Sequence, residues 1–149
     1  MTLDKVRKFI LRESPQSGKQ ILDFIDKVEV VTYSDGVFYY KNGELHRTDG
    51  PAIEYASGSK EWWFKGKRHR INGPSWNGSN GDKEWWVNGD LHRTDGPACE
   101  YVSGGKYWYL NGDLHRTDGP VVECSDGRIE WWVDGEQLSE QAFNRRIKS

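Results

Sequence analysis

The chain holds four histidines, His46, His69, His92 and His115, each 23 residues after the last. An arginine follows every one of them, and in three cases an aspartate stands three positions on: His46/Asp49, His92/Asp95 and His115/Asp118. Two chemistries fit those residue types. A histidine beside a carboxylate can act as general acid or base, and imidazoles in a group can hold zinc. Spacing argues against the metal. If one period spans two strands, equivalent histidines lie about 9.5–10 Å apart, whereas nitrogens each about 2.1 Å from one zinc lie near 3–3.5 Å from one another. Number argues against catalysis. The same pair is written three times, and no serine or cysteine nucleophile keeps step with it. The expectation is a chain that is not an enzyme and uses no metal or cofactor.

The histidines belong to a longer repeated phrase. NGDLHRTDGP occurs at 88–97 and again at 111–120, NGELHRTDGP at 42–51, and an altered copy, KGKRHRINGP, at 65–74. In this phrase Asp can accept bonds from nearby amides, Gly frees φ, and Pro fixes entry into the next segment. Arg47, Arg93 and Arg116 can reach an aspartate or lie over an aromatic face. The repeated His, Arg and Asp positions therefore read as framework.

The same interval runs through an aromatic pair, Tyr39-Tyr40, Trp62-Trp63, Trp85-Trp86, Trp108-Tyr109 and Trp131-Trp132, and through the Asn-Gly turn that follows it. Each unit reads as two short strands, one aromatic and ending at Asn-Gly, one following Pro and ending at Ser-Gly or Asp-Gly. Recurrent Gly and Pro exclude helices there. The predicted fold is mainly β, an antiparallel meander of about ten strands over residues 28–136, as an open sheet or a more curled solenoid. Alternation along the aromatic strands places Trp62 with Phe64, Trp85 with Val87 and Trp108 with Leu110 on a core face. Glu61 and Trp63, or Glu84 and Trp86, then share a partly wet face. Apolar residues at helical spacing predict an N-terminal helical cap over 1–27, and Ser139 is placed to cap a short helix within 137–149 bearing Ala142, Phe143 and Ile147. Repeat arrays need such ends to hide an open edge.

Only 35% of the 149 residues are hydrophobic, yet eight are Trp and seven Tyr, so any core must use rings. No apolar run nears the 18–20 or so residues that span a bilayer, and the charged N-terminus is unlike a signal peptide. A cytoplasmic protein with no membrane association is expected. Cys99 and Cys124, placed two strand spacings apart, are too distant for a disulfide and read as buried thiols. Residues 1–27 and 137–149 each carry a charge of +2, which leaves −6 on the array between them. That sign disfavours duplex nucleic acid as a partner.

The unit WWVNGDLHRTDGPACEY resembles a repeat of bacteriophage and giant-virus proteins, loosely similar to MORN-type repeats, and the likeness covers 36–136. The resemblance implies a β-hairpin array and a viral or mobile-element origin. It implies no activity.

A binding site is then sought where the repeat departs from itself. In unit two Leu becomes Arg68, Thr becomes Ile71, Asp becomes Asn72, and PAIEY becomes PSWNG. The candidate contact patch is Lys67, Arg68, Arg70, Trp76, Asn77 and Asn80, an aromatic anchor among Arg and Asn of the kind enriched at interfaces. The same departure also reads as a bulge where the sheet bends. A second candidate is the ring column of Tyr40, Trp63, Trp86, Tyr109 and Trp132, able to stack a small nucleotide or glycan with the His and Arg of the loops available to its phosphates. The leading expectation is a non-enzymatic module that binds a host or viral protein, in the foremost case a phage product that inhibits or redirects a bacterial host defence protein.

Overall fold

Two turns per unit set the architecture. The first carries Asn42, Lys65, Asn88 and Asn111 at φ of 50 to 55°, a left-handed conformation that Asn tolerates best. The second turns on Gly58, Gly81, Gly104 and Gly127 at φ of 89 to 98°. The computed structural model describes residues 12, 28–133 and 135–147, and in it these turns fold the chain into an open antiparallel sheet closed by one short helix. The predicted N-terminal cap over 1–27 lies outside the described residues, Arg12 apart.

The meander is present, but its strands are shorter and more numerous than predicted, because the three middle aromatic strands break at their first ring, Trp62, Trp85 and Trp108. A twelve-stranded sheet runs from Glu29–Tyr33 and Gly36–Lys41 through Ile53–Tyr55, Lys60–Glu61, Trp76–Asn77, Lys83–Glu84, Cys99–Glu100, Lys106–Tyr107 and Val122–Glu123 to Ile129–Val133 and Glu136–Leu138, with Glu44–Leu45 beside Gly36–Lys41. Three separate hairpins continue the broken strands: Trp63–Phe64 with Lys67–Arg68, Trp86–Val87 with Asp90–Leu91, and Tyr109–Leu110 with Asp113–Leu114. Trp62 is one such joint. Its N–H donates to Ser75 O at 2.8 Å, and its carbonyl accepts the His69 N–H at 3.0 Å. The hairpins also bond to one another: Arg47 N–H donates to Trp63 O, and Gly66 N–H to Leu45 O.

The broken strand overturns the expected faces. Register aligns Ile53, Glu61, Trp76, Glu84, Cys99, Tyr107, Val122 and Glu130 across the sheet. Ile53, Glu61, Cys99 and Val122 in that row are at most 3% exposed, so this is the covered side. Phe64, expected in the core, is 37% exposed. Period-two alternation holds only along an unbroken strand, and the break at Trp62 ends it. The deepest positions are the small residues after each proline, Ala52, Ser75, Ala98 and Val121.

Ser139 caps the C-terminal helix, its Oγ accepting the Ala142 N–H at 3.2 Å. The helix spans Glu140–Ile147 and buries Phe143 against Trp131, ring centroids 4.9 Å apart. Both cysteines are free, but only Cys99 is fully buried; Cys124 is half-buried. Cys124 occupies the column of Tyr55 and Tyr101, two residues beyond the position equivalent to Cys99. Among the described residues no helix is long and apolar enough to cross a membrane.

Candidate functional site

Each repeated arginine is held by a clamp built wholly within its own unit. Arg93 lies flat over the Trp85 ring, 3.8 Å from its centroid. Its Nε donates to Asp95 at 2.8 Å, and its Nη1 donates to Pro97 O at 3.0 Å and Glu100 at 2.7 Å. Arg116 repeats this with Trp108, Asp118, Pro120 and Glu123. Arg47 repeats it with Tyr39, Asp49, Pro51 and Glu54. The bonded guanidinium pulls the carboxyls of Asp49, Asp95 and Asp118 below their ordinary pKa. The fixed Arg-to-Glu interval of seven residues was the sequence signal for Glu54, Glu100 and Glu123, and reasoning from the decapeptide alone missed it.

Unit two keeps half of this clamp. Arg70 still lies 3.8 Å over Trp62 and still donates to Pro74 O at 3.0 Å. Asn72 and Asn77 stand where its sisters carry Asp and Glu, and no carboxylate among the described residues pairs with it. Burial without a counter-charge lowers the Arg70 pKa. Asn77 Oδ1 is buried with no hydrogen-bond donor. The groove between loops one and two, about 580 Å³, is lined by Arg47, Thr48, Phe64, Arg70, Ile71 and Asn72 among others. Its counterpart between loops three and four, about 500 Å³, has Asp95 and Asp118 beside the arginines.

Arg68 sits elsewhere, inside a cluster of carboxylates and indoles. Its Nε donates to Glu61 at 2.9 Å, its Nη1 lies 3.6 Å from Glu84, and its guanidinium is 5.5–5.6 Å from the Trp63, Trp76 and Trp86 ring centroids. The Glu61 side chain is only 4% exposed. It tolerates that burial because it also accepts the Tyr55 hydroxyl at 2.8 Å and the Trp63 Nε1–H at 2.7 Å. A satisfied buried carboxylate is stable; an orphaned one is not. Burial first, then the bond to Glu61, pushes the Tyr55 hydroxyl up to about 12. Trp86 Nε1 donates to Glu84 and Trp132 Nε1 to Glu130 in the same way. Unit four drops both partners together, with Tyr107 for the acid and Tyr109 for the indole.

The six residues of the expected contact patch therefore separate. Arg68 and Trp76 serve the internal cluster, with Trp76 edge-on to Tyr55 at 6.2 Å. Lys67 is exposed on the hairpin, and Asn80 closes a turn on Asp82, its Nδ2 donating to Oδ2 at 2.8 Å. Arg70 and Asn77 mark the incomplete clamp. Ile71, 77% exposed, and Asn72 belong beside Arg70. The stacking column is half-buried, with Trp63 and Trp86 around a groove of about 460 Å³ and Tyr109 and Trp132 around one of about 740 Å³.

The histidines stitch successive units. His46 Nδ1 accepts the Lys65 N–H at 3.2 Å, His69 Nδ1 the Asn88 N–H at 3.1 Å, and His92 Nδ1 the Asn111 N–H at 3.2 Å. These three imidazoles thus reach the tight turn of the following unit; for His46 and His69 the accepted bond requires a neutral ring with its proton on Nε2, while His92 Nδ1 also lies 2.9 Å from Asn111 Oδ1. Phe64 packs between His46 and His69, at 4.6 and 5.9 Å. Burial, then the Lys41 and Lys65 cations, lowers the His46 pKa. Among the described residues no three His, Cys, Asp or Glu side chains gather as a metal site would need. No family model matches this chain, and no curated protein matches its sequence.

Proposed function

We propose that this chain is a non-enzymatic repeat module that binds another protein through its second unit. One observation carries the reading. The arginine clamp is closed in units one, three and four and open in unit two, where Ile71 stands exposed beside Arg70. A half-desolvated arginine with apolar neighbours is the composition of an interface anchor. The finer assignment, a phage-encoded inhibitor acting on a bacterial host protein in the cytoplasm, rests on the resemblance of the repeat. The test rewrites unit two in the sister sequence, Ile71→Thr with Asn72→Asp, and compares proteins captured from a bacterial lysate with those held by the unaltered chain. Loss of a specific partner from the rewritten, folded protein supports the reading. Identical capture overturns it.

A second reading has its own observation. The groove between Tyr109 and Trp132 could seat a sugar or nucleobase against a ring face. Ligand stacked there quenches Trp132, and Trp132→Ala removes that quenching; fluorescence unmoved across nucleotides and oligosaccharides rejects it.

A further inference from the structure

Three copies of one clamp inside the same chain show what Arg70 lacks. In each of them the guanidinium is oriented by a ring and a proline carbonyl, and carboxylate oxygens then sit 2.8–2.9 Å from Nε and 2.7–2.8 Å from Nη1. Arg70 retains both orienting contacts. Its fork is thereby fixed in place without the acid it is shaped to receive. Asn72, at the position of the sister aspartate, is exposed, and no hydrogen bond joins it to Arg70 among the described residues. Asn77, at the position of the sister glutamate, is a methylene shorter and makes no bond to Nη1.

We infer that Arg70 is the receptor for one carboxylate supplied from outside the chain, an aspartate or glutamate side chain of the protein partner, with Ile71 and Phe64 as its apolar flank. This rests on the protein-binding reading above and names the chemistry of the partner. Three features fix the class of ligand. Carboxylate is the group that the identical guanidinium geometry accepts three times elsewhere in the array. Preorganisation removes the cost of ordering a long side chain, which is why exposed ion pairs are usually weak. The groove also lacks a competing acid at this end: Asp49, on the far loop, is held by Arg47. An acidic side chain entering between the loops replaces solvent around a cation that burial has already destabilised. Ile71, in place of a sister threonine, then contributes apolar contact where the other units present a hydroxyl.

The test uses the full chain, labelled so that each arginine Nε–H is resolved by NMR, in low salt. The probes are the blocked tripeptides acetyl-Leu-Glu-Leu-amide and acetyl-Leu-Gln-Leu-amide, with glutarate and inorganic phosphate as free anions. The Glu peptide shifts the Arg70 Nε–H resonance while those of Arg47, Arg93 and Arg116 stay in place, and the Gln peptide shifts none. Asn72→Asp fills the site from within and abolishes the response, without touching the core. Glutarate shifting Arg70 more weakly than the Glu peptide supports a carboxylate with apolar flanks. Phosphate acting while the Glu peptide does not, equal response to the Glu and Gln peptides, or an undiminished response in Asn72→Asp each overturns the inference. If Asn72→Asp abolishes the peptide response yet still captures the same lysate protein through Ile71, the carboxylate assignment fails and the binding-module reading survives.

Discussion

Unit two and its three sisters spend the same number of residues on the same turn and strands, yet they keep positive charge in different places. In this loop and its hairpin the sisters carry one guanidinium, stacked on a ring and neutralised by two acids of that unit. Unit two carries two. Arg70 is stacked but not neutralised, and Arg68, in place of a leucine, is neutralised by Glu61 and Glu84 on the covered side. A repeat maintained only as framework would close every clamp alike. The contrast teaches that the sheet tolerates loss of the acids because ring and carbonyl suffice to hold the arginine, which leaves its charge available.

Breaking the comparison at its strongest point removes the acid beneath Arg68. Glu61→Ala strands that guanidinium, the Tyr55 hydroxyl and the Trp63 N–H together, and the expected loss is about 3 kcal/mol in urea unfolding. Next in size is the clamp itself. Arg93→Ala forfeits ring stacking and two ion pairs, for about 2 kcal/mol, whereas Arg70→Ala forfeits stacking and one carbonyl bond, for about 1 kcal/mol. Equal losses would show that the acids contribute nothing to the sisters and that unit two is not set apart.

A smaller effect is expected from pH. The folded His46 pKa lies below that of the unfolded chain, so the unfolded state binds the proton more readily. The stabilisation is present above about pH 6.5 and fades as pH falls below it. The urea midpoint should therefore drop between pH 7.5 and 5, and His46→Asn, whose Oδ1 can take the Lys65 N–H, should flatten that drop. The smallest change sharpens the contrast from the other side. Asn72→Asp should raise the unfolding midpoint slightly in low salt, and the gain should vanish in high salt, as for an exposed ion pair.

The 23-residue interval made the sheet legible, because it aligned turns and rings without any reference to contacts. It also marked the His, Arg and Asp positions as recurrent, and the Arg47, Arg93 and Arg116 side chains bond to Asp49, Asp95 and Asp118 within the chain. The faces were not legible. Alternation presumes a continuous strand, and nothing in the letters of KEWWF announces that the chain changes partners at Trp62. The internal partners of Arg68 were not legible for a related reason: a cation in an acidic array looks like surface until Glu61 is known to be buried. The signal was present in coupled letters. Glu61 precedes Trp63 by two residues, as Glu84 precedes Trp86, and unit four loses acid and indole together. Asn72 was noticed as a departure, but its meaning needed the geometry of Asp49, Asp95 and Asp118.

The histidine stitches give the array a direction. The imidazoles of His46, His69 and His92 each leave their own unit and reach the turn that comes 19 residues later, so these units are completed only by their successors. The three seams so described are consequently alike. Cutting out one whole period, such as residues 88–110, rejoins like to like, while a cut of any other length mismatches donor and acceptor along the new junction. Length in this molecule is therefore quantised: a gene encoding it can grow or shrink by whole periods and still specify a working edge at every step.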